Sequence, residues 1–248
     1  MNKQGRWQPI AAVGAQGFAS GLPYMVGSKL LQGWLTASQV PLSLIGLLGL
    51  AELPYTLKMV WAPLLDRWPL PWPDRRRGWL LVLQLLLVLL IGAMGLLRPG
   101  TDQGSLTAIG LLAVTLAVVS ATQDIAVDAY RTDLLTEQER GAGAAASNLG
   151  YRAAMLAIGA GGFIVAGRLG WPAAFVGGAV LMLATLPCTL ASPRLQPLAH
   201  PVLSLRQAVL GPAREFLKRT GGGRAALLLA LVLLYRWPDG LLGLMAVP

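Results

Sequence analysis

The sequence predicts an all-α membrane protein, and three observations carry that prediction. Hydrophobic residues fill 55% of the 248 positions and charged residues only 12%, whereas soluble domains carry about a quarter charged. Apolar runs of about 20 residues, enough to cross a bilayer as helix, recur along most of the chain. Lys and Arg gather in every second connection between those runs, the pattern that sets orientation in polytopic proteins. A soluble enzyme is excluded.

The first run, Pro9–Leu35, follows Lys3 and Arg6. It is too long for a signal-peptide core and no small-residue cleavage site follows it, so it reads as an uncleaved first helix. Five more runs follow: Leu42–Leu65, Gly78–Leu97, Leu106–Ala129, Gly141–Gly167 and Trp171–Ala191. A partial seventh begins near Ala225 and runs to Pro248. Trp7, Trp68, Trp72, Trp79 and Trp171 lie near span ends, as interfacial anchors do. The expected organisation is a six-helix bundle over 1–191, a linker over 192–224 and a seventh helix over 225–248.

One side of the predicted membrane has Lys3 and Arg6, then Arg67 with Arg75, Arg76 and Arg77, then Arg131 and Arg140, then the basic linker; the other has Arg98 and Arg168. The positive side is the cytoplasmic one, so the N-terminus and the connections after the second, fourth and sixth helices are cytoplasmic. That placement also accounts for the net charge of +9 without a nucleic-acid partner. Cys188 sits alone in an apolar run and His200 alone in a loop. Neither a disulfide framework nor a metal site follows from them, and no cofactor is expected.

In the linker, Leu203–Leu210 and then Arg214–Arg219 alternate apolar and basic faces at helical spacing. Two readings fit: a basic amphipathic helix on the anionic leaflet, or a solvated connecting helix. Six helices, a cytoplasmic linker and a new span is the plan of a transporter built from two six-helix halves.

Charges inside the spans are the candidates for function, because each costs about 2.5–3.5 kcal/mol to insert at mid-bilayer and so faces a cavity or a partner. The fourth helix ends Gln123-Asp-Ile-Ala-Val-Asp128-Ala-Tyr-Arg131. Asp124, Asp128 and Arg131 share a helix face. Gln123 and Asp124 are placed on a substrate or proton pathway, with Asp128 either on it or in a structural ion pair with Arg131. Glu52 is a proton site or a bond to another helix. Lys58 snorkels or, the favoured reading, pairs with Asp66. Lys29, with Gln16, Ser20 and Gln32 nearby, meets an anionic substrate or snorkels outward. Arg152 needs a carboxylate or an anionic ligand at its depth, and an acid of the second or fourth helix is the expected partner. Ala142, Ala146, Gly150 and Ala154 repeat every fourth residue, a stripe for close helix packing that Gly17 and Gly21 match in the first helix.

The connection after the second helix, Asp66-Arg67 and then Arg75-Arg-Arg-Gly78, resembles the signature loop of the major facilitator superfamily. Ala62 and Pro69 stand where glycines are usual, and extra residues precede the arginines. The role expected for Asp66, Arg67, Arg75, Arg76 and Arg77 is conformational gating. Taken with Gly17-Phe-Ala-Ser-Gly-Leu-Pro23, Gln123-Asp-Ile, Glu139-Arg-Gly-Ala-Gly-Ala144 and Gly150-Tyr-Arg152, the blocks resemble the AmpG muropeptide permeases across about residues 10–195. Tyr235-Arg-Trp-Pro-Asp239 looks like a degraded opening of that family's seventh helix.

The resemblance implies the N-terminal half of a proton-driven importer of anhydro-muropeptides in the bacterial inner membrane, serving peptidoglycan recycling. Related acetyl-coenzyme A carriers share parts of these blocks. Alternating access takes two bundles, so the chain is read as a truncated product, a half pairing with another polypeptide, or a homodimer. A rival class, an intramembrane lipid phosphotransferase holding magnesium between Asp124 and Asp128, lacks the upstream Asp-Gly and Ala-Arg residues such a site needs. A non-enzyme is expected.

Overall fold

The computed structural model describes residues 3–48, 53–68, 70–99, 103–195, 214–228, 230, 231 and 234. Glu52, His200, the Leu203–Leu210 stretch and Tyr235–Asp239 lie outside the described residues. The chain divides into two compact units, Met1–Pro197 and Leu198–Pro248.

In the first unit the described residues are helical, without strands. Four helical runs are long and apolar enough to cross a membrane: Arg75–Leu96, Gly104–Leu134, Arg140–Leu169 and Trp171–Ala191. They coincide with the third to sixth expected spans. The chain is a multi-pass all-α membrane protein.

The first expected span is one continuous helical run made of α1 (Lys3–Met25), a π turn (Val26–Leu30) and α2 (Leu31–Ala37). The second is not a single straight helix. It comprises α3 (Leu42–Leu48), α4 (Leu53–Leu57), a 3-10 turn (Lys58–Val60) and α5 (Ala62–Arg67). Proline explains the later break, because Pro63 cannot donate to the turn before it and sits instead in the first turn of α5.

After these come α6 (Arg75–Leu96), α7 (Gln103–Leu134), α8 (Arg140–Leu156), a second π turn (Ala157–Gly162), α9 (Phe163–Leu169) and α10 (Trp171–Ala191). Asp74 starts α6 by accepting from the backbone N–H groups of Arg76 and Arg77 at 3.2 and 3.0 Å. Gly170, at φ +90°, turns the chain from α9 into α10.

The bundle is organised around α1, which packs along α8 on one side and against α7 and α10 on others, while α6 packs along α10 and α7. The α1–α8 seam is backbone against backbone. A Cβ on Gly150 would stand 2.0 Å from the Gly14 carbonyl oxygen, and one on Gly17 2.1 Å from that of Ser147. Ala154 continues the seam, fully buried, whereas Ala142 at the far end of the stripe is exposed. The expected small-residue packing is therefore found from Ala146 onward.

In the second unit, 214–220 and 222–228 are helical, separated by Gly221 in the left-handed region at φ +74°. Arg219 donates to Glu215 one turn earlier at 2.5 Å.

Candidate functional site

Three polar clusters lie in the first unit, and most of the sequence-predicted residues fall among them. Gln16 belongs to a closed one. Its Nε2 donates to Thr189 Oγ1 (2.9 Å), Thr189 donates to Gln84 Oε1 (2.8 Å), and Gln84 Nε2 donates back to Gln16 Oε1 (3.2 Å). The three side chains, from α1, α10 and α6, are at most 1% exposed. A ring in which each member gives and takes one hydrogen bond satisfies itself in lipid and holds three helices together. Gln16, expected on the pathway, is buried in the bundle interior and held by this ring.

Gln123 has a structural task of the same kind. Pro23 has no N–H, so the Ala19 carbonyl four residues earlier loses its intrahelical donor. The Gln123 side-chain amide reaches across from α7 and donates to that carbonyl at 2.8 Å. This is how proline is accommodated inside a membrane helix.

The open cluster centres on Asp124. Ser20 of α1 donates to its Oδ1 at 2.5 Å, and Lys58 Nζ stands 3.4 Å from its Oδ2. The same ammonium lies 3.9 Å from Asp128, which also binds Arg131 at 3.0 Å. Two acids and two bases thus form one charge-balanced chain. The Lys58–Asp66 pair expected from the sequence is not formed; the 3-10 turn after α4 directs Lys58 to the acids of α7 instead. A cavity of about 250 Å³ opens onto this chain, lined by Ser20, Asp124, Asp128 and Arg131 together with Ser147, Asn148 and Tyr151 of α8.

Lys29 lies on the first π turn and is exposed, as is Arg152 on α8. Of the partners expected for Arg152, the acids of the fourth helix are taken otherwise among the described residues, Asp124 and Asp128 by Lys58 and Arg131 and Asp133 by Arg75 and Arg76, while Glu52 of the second lies outside the described residues.

The gating residues form a third cluster. Arg76 spans two acids, with Asp66 at 2.5 Å and Asp133 at 2.9 Å, and Arg75 joins Asp133 at 2.7 Å. Arg77, 2% exposed, pairs with Asp74 and donates to the carbonyls of Leu190 (3.0 Å) and Ser192 (2.6 Å) at the end of α10. Such capping of the last carbonyls by a cation suits the negative end of a helix. Arg67 is exposed and outside this network among the described residues. Asp74 and Asp133, which are not among the expected site residues, hold these arginines in place. Asp74 had a visible signal: an Asp just before a helix that opens on three arginines is an N-cap.

Among the described residues no cluster of three or more His, Cys, Asp or Glu side chains is arranged to hold a metal ion.

The arrangement of helices and charges is matched by what the chain resembles. The family model described as acetyl-coenzyme A transporter 1 matches residues 10–158. The chain belongs to this transporter family. Over 224 residues, 90% of the chain, it is 43% identical to the anhydromuropeptide permease of Escherichia coli K12, of which it covers 44%. Over 242 residues it is 32% identical to putative transporter AmpG 4 of Rickettsia felis, covering 57% of that protein. An uncharacterised protein of Haemophilus influenzae shares 37% over 226 residues, with 52% of its length covered. The chain therefore spans about half the length of the curated relatives it matches. The resemblance to the AmpG permeases carried by the sequence blocks is borne out by identity along nearly the whole chain.

Proposed function

We propose that this member of the acetyl-coenzyme A transporter 1 family is part of a proton-coupled importer of anhydro-muropeptides in the bacterial inner membrane, with its N-terminus cytoplasmic. The observation that carries the reading is the Ser20–Asp124–Lys58–Asp128 chain beside an open cavity. A carboxylate held by a lysine of another span can exchange that partner for a proton, which changes what holds α4 to α7. Coupling of proton to substrate needs such an exchange. Alternating access takes two bundles, so a second six-helix bundle, separate or from another copy, is the partner that would complete the pathway.

The test is uptake of labelled anhydro-muropeptide by cells lacking their own permease, with a full-length relative as positive control. Uptake above the empty vector, abolished by a protonophore and by Asp124→Asn, supports the reading. Uptake only when a complementary half of the relative is co-expressed supports a half that needs a partner. No uptake under either condition condemns it.

A second reading has its own observation. A neighbouring cavity of about 380 Å³ is lined by Arg131, Thr132, Leu135, Arg140 and Ala144. Two guanidiniums at one mouth suit a phosphorylated carrier such as coenzyme A. Competition of acetyl-coenzyme A with labelled muropeptide in the same assay separates the two substrates.

A further inference from the structure

Three tyrosines from three expected spans gather beside the acid. Tyr24 of α1 and Tyr55 of α4 stand edge to face, their ring centroids 5.2 Å apart and their planes at 89°. Tyr151 of α8 lies 6.4 Å from Tyr24 with its plane tilted by 36°. All three are half-buried, so the cluster is neither sealed in the core nor spread on the surface. Ser20, one turn before Tyr24, donates to Asp124, and Tyr151 lines the same cavity as Ser20, Asp124, Ser147 and Asn148.

An aromatic cluster serving only as core would be enclosed by apolar side chains. Here Tyr151 borders a carboxylate, two hydroxyls and an amide, while Tyr24 joins it to the core behind, and a ring with an apolar face and a polar tip suits a site that is half wet. The perpendicular pair makes a corner, not a flat stack. A pyranose presents the matching surface: a face of C–H bonds that rests on aromatic rings, with hydroxyls around the rim for carboxylate, amide and serine groups. A peptide alone would use the charges and leave the rings idle.

We infer that Tyr151, backed by Tyr24 and through it Tyr55, forms a carbohydrate platform on which the sugar portion of the transported glycopeptide rests, with Asp124, Ser147 and Asn148 beside it for the hydroxyls. The inference rests on the muropeptide reading above and adds which part of the substrate this bundle holds.

The purified chain in lipid nanodiscs is titrated by calorimetry with three probes: anhydro-disaccharide-tetrapeptide, the free disaccharide and the free tetrapeptide. The platform requires that the free disaccharide bind. Tyr151→Ala should weaken disaccharide and muropeptide binding about ten-fold, the loss expected for one stacking face, and Tyr24→Ala, which removes its support, by a smaller factor. Tyr→Phe at the same positions keeps the face and should stay within about three-fold of wild type. The Phe variants guard against misfolding: if they lose the sugar as fully as the Ala variants, ring stacking is not the cause and the platform is overturned. Alanine variants that bind the disaccharide like wild type overturn it too, while the muropeptide reading stands. Tetrapeptide binding without disaccharide binding has the same meaning. If wild type binds none of the three probes, the muropeptide reading falls and the platform with it.

Discussion

Gln16 and Ser20 lie one turn apart on the same helix and belong to opposite kinds of site. Gln16 closes a neutral ring with Gln84 and Thr189, shut off from solvent, in which every bond has a single purpose. Ser20 opens a charged chain through Asp124, Lys58, Asp128 and Arg131, in which each acid and Lys58 has more than one partner within reach. The difference shows how one helix can both hold a bundle together and present a responsive surface. Neutral amides and hydroxyls in lipid gain nothing by letting go, so they fasten. Charges with competing partners can be redistributed by a proton or a ligand, so they respond.

Substitutions can break that comparison from either side. The largest effect is expected from Asp124→Asn, which removes the acid shared by Ser20 and Lys58: muropeptide uptake should fall at least about a hundred-fold, the scale of losing a group needed for coupling. Uptake near wild type would place the coupling acid elsewhere. Next is Lys58→Met, which leaves two acids one turn apart on α7 without the cation between them. Both ends of the pair are partly exposed, so about 1–3 kcal/mol is expected, below the range for fully buried pairs. The double variant Lys58→Met with Asp124→Asn should melt higher than Lys58→Met alone; a lower melting temperature would mean that the two residues act independently.

Gln84→Leu tests the closed ring. Stability should drop by about 1–2 kcal/mol, since membrane hydrogen bonds average about 0.6 kcal/mol each and two are lost while their partners stay buried. Uptake per folded molecule should not change. A loss of uptake without a loss of stability would move the ring into the transport machinery. The smallest effect belongs to Asp128→Asn. Asp128 is the more exposed acid, 55% against 17% for Asp124. Less than about 0.5 kcal/mol of stability is expected, and a modest change in uptake.

Much of the fold was legible because bilayer thickness imposes it. Four spans lie where apolar runs of the right length fall in the sequence. The second span was less legible: its composition reads as one helix, but Pro54 and Pro63 lie within it and helical order is interrupted. Asp124 stood out at once, since an acid inside an apolar run requires a reason. Its partner did not. Lys58 read as snorkelling or as paired with Asp66 until the turn after α4 set its direction toward Asp124, because sequence spacing describes neighbours on one helix and says little about neighbours across two. The tyrosines were silent for another reason: an aromatic in a hydrophobic helix has the same signature whether it fills a core or faces a cavity. Gln16 was half legible: a polar residue in a span asks for partners, but the sequence does not say that they are Gln84 and Thr189.

Gln123 and Asp124 are consecutive on α7, and they grip consecutive residues of α1: Gln123 the carbonyl of Ala19, Asp124 the hydroxyl of Ser20. The first grip replaces the bond that Pro23 removes, so the weak point of α1 is mended by a neighbouring helix and not by its own backbone. Any rotation of α7 that withdraws Asp124 would also withdraw the splint from α1. The charged site and the joint therefore ride on the same turn of α7, and a rotation of that turn acts on both.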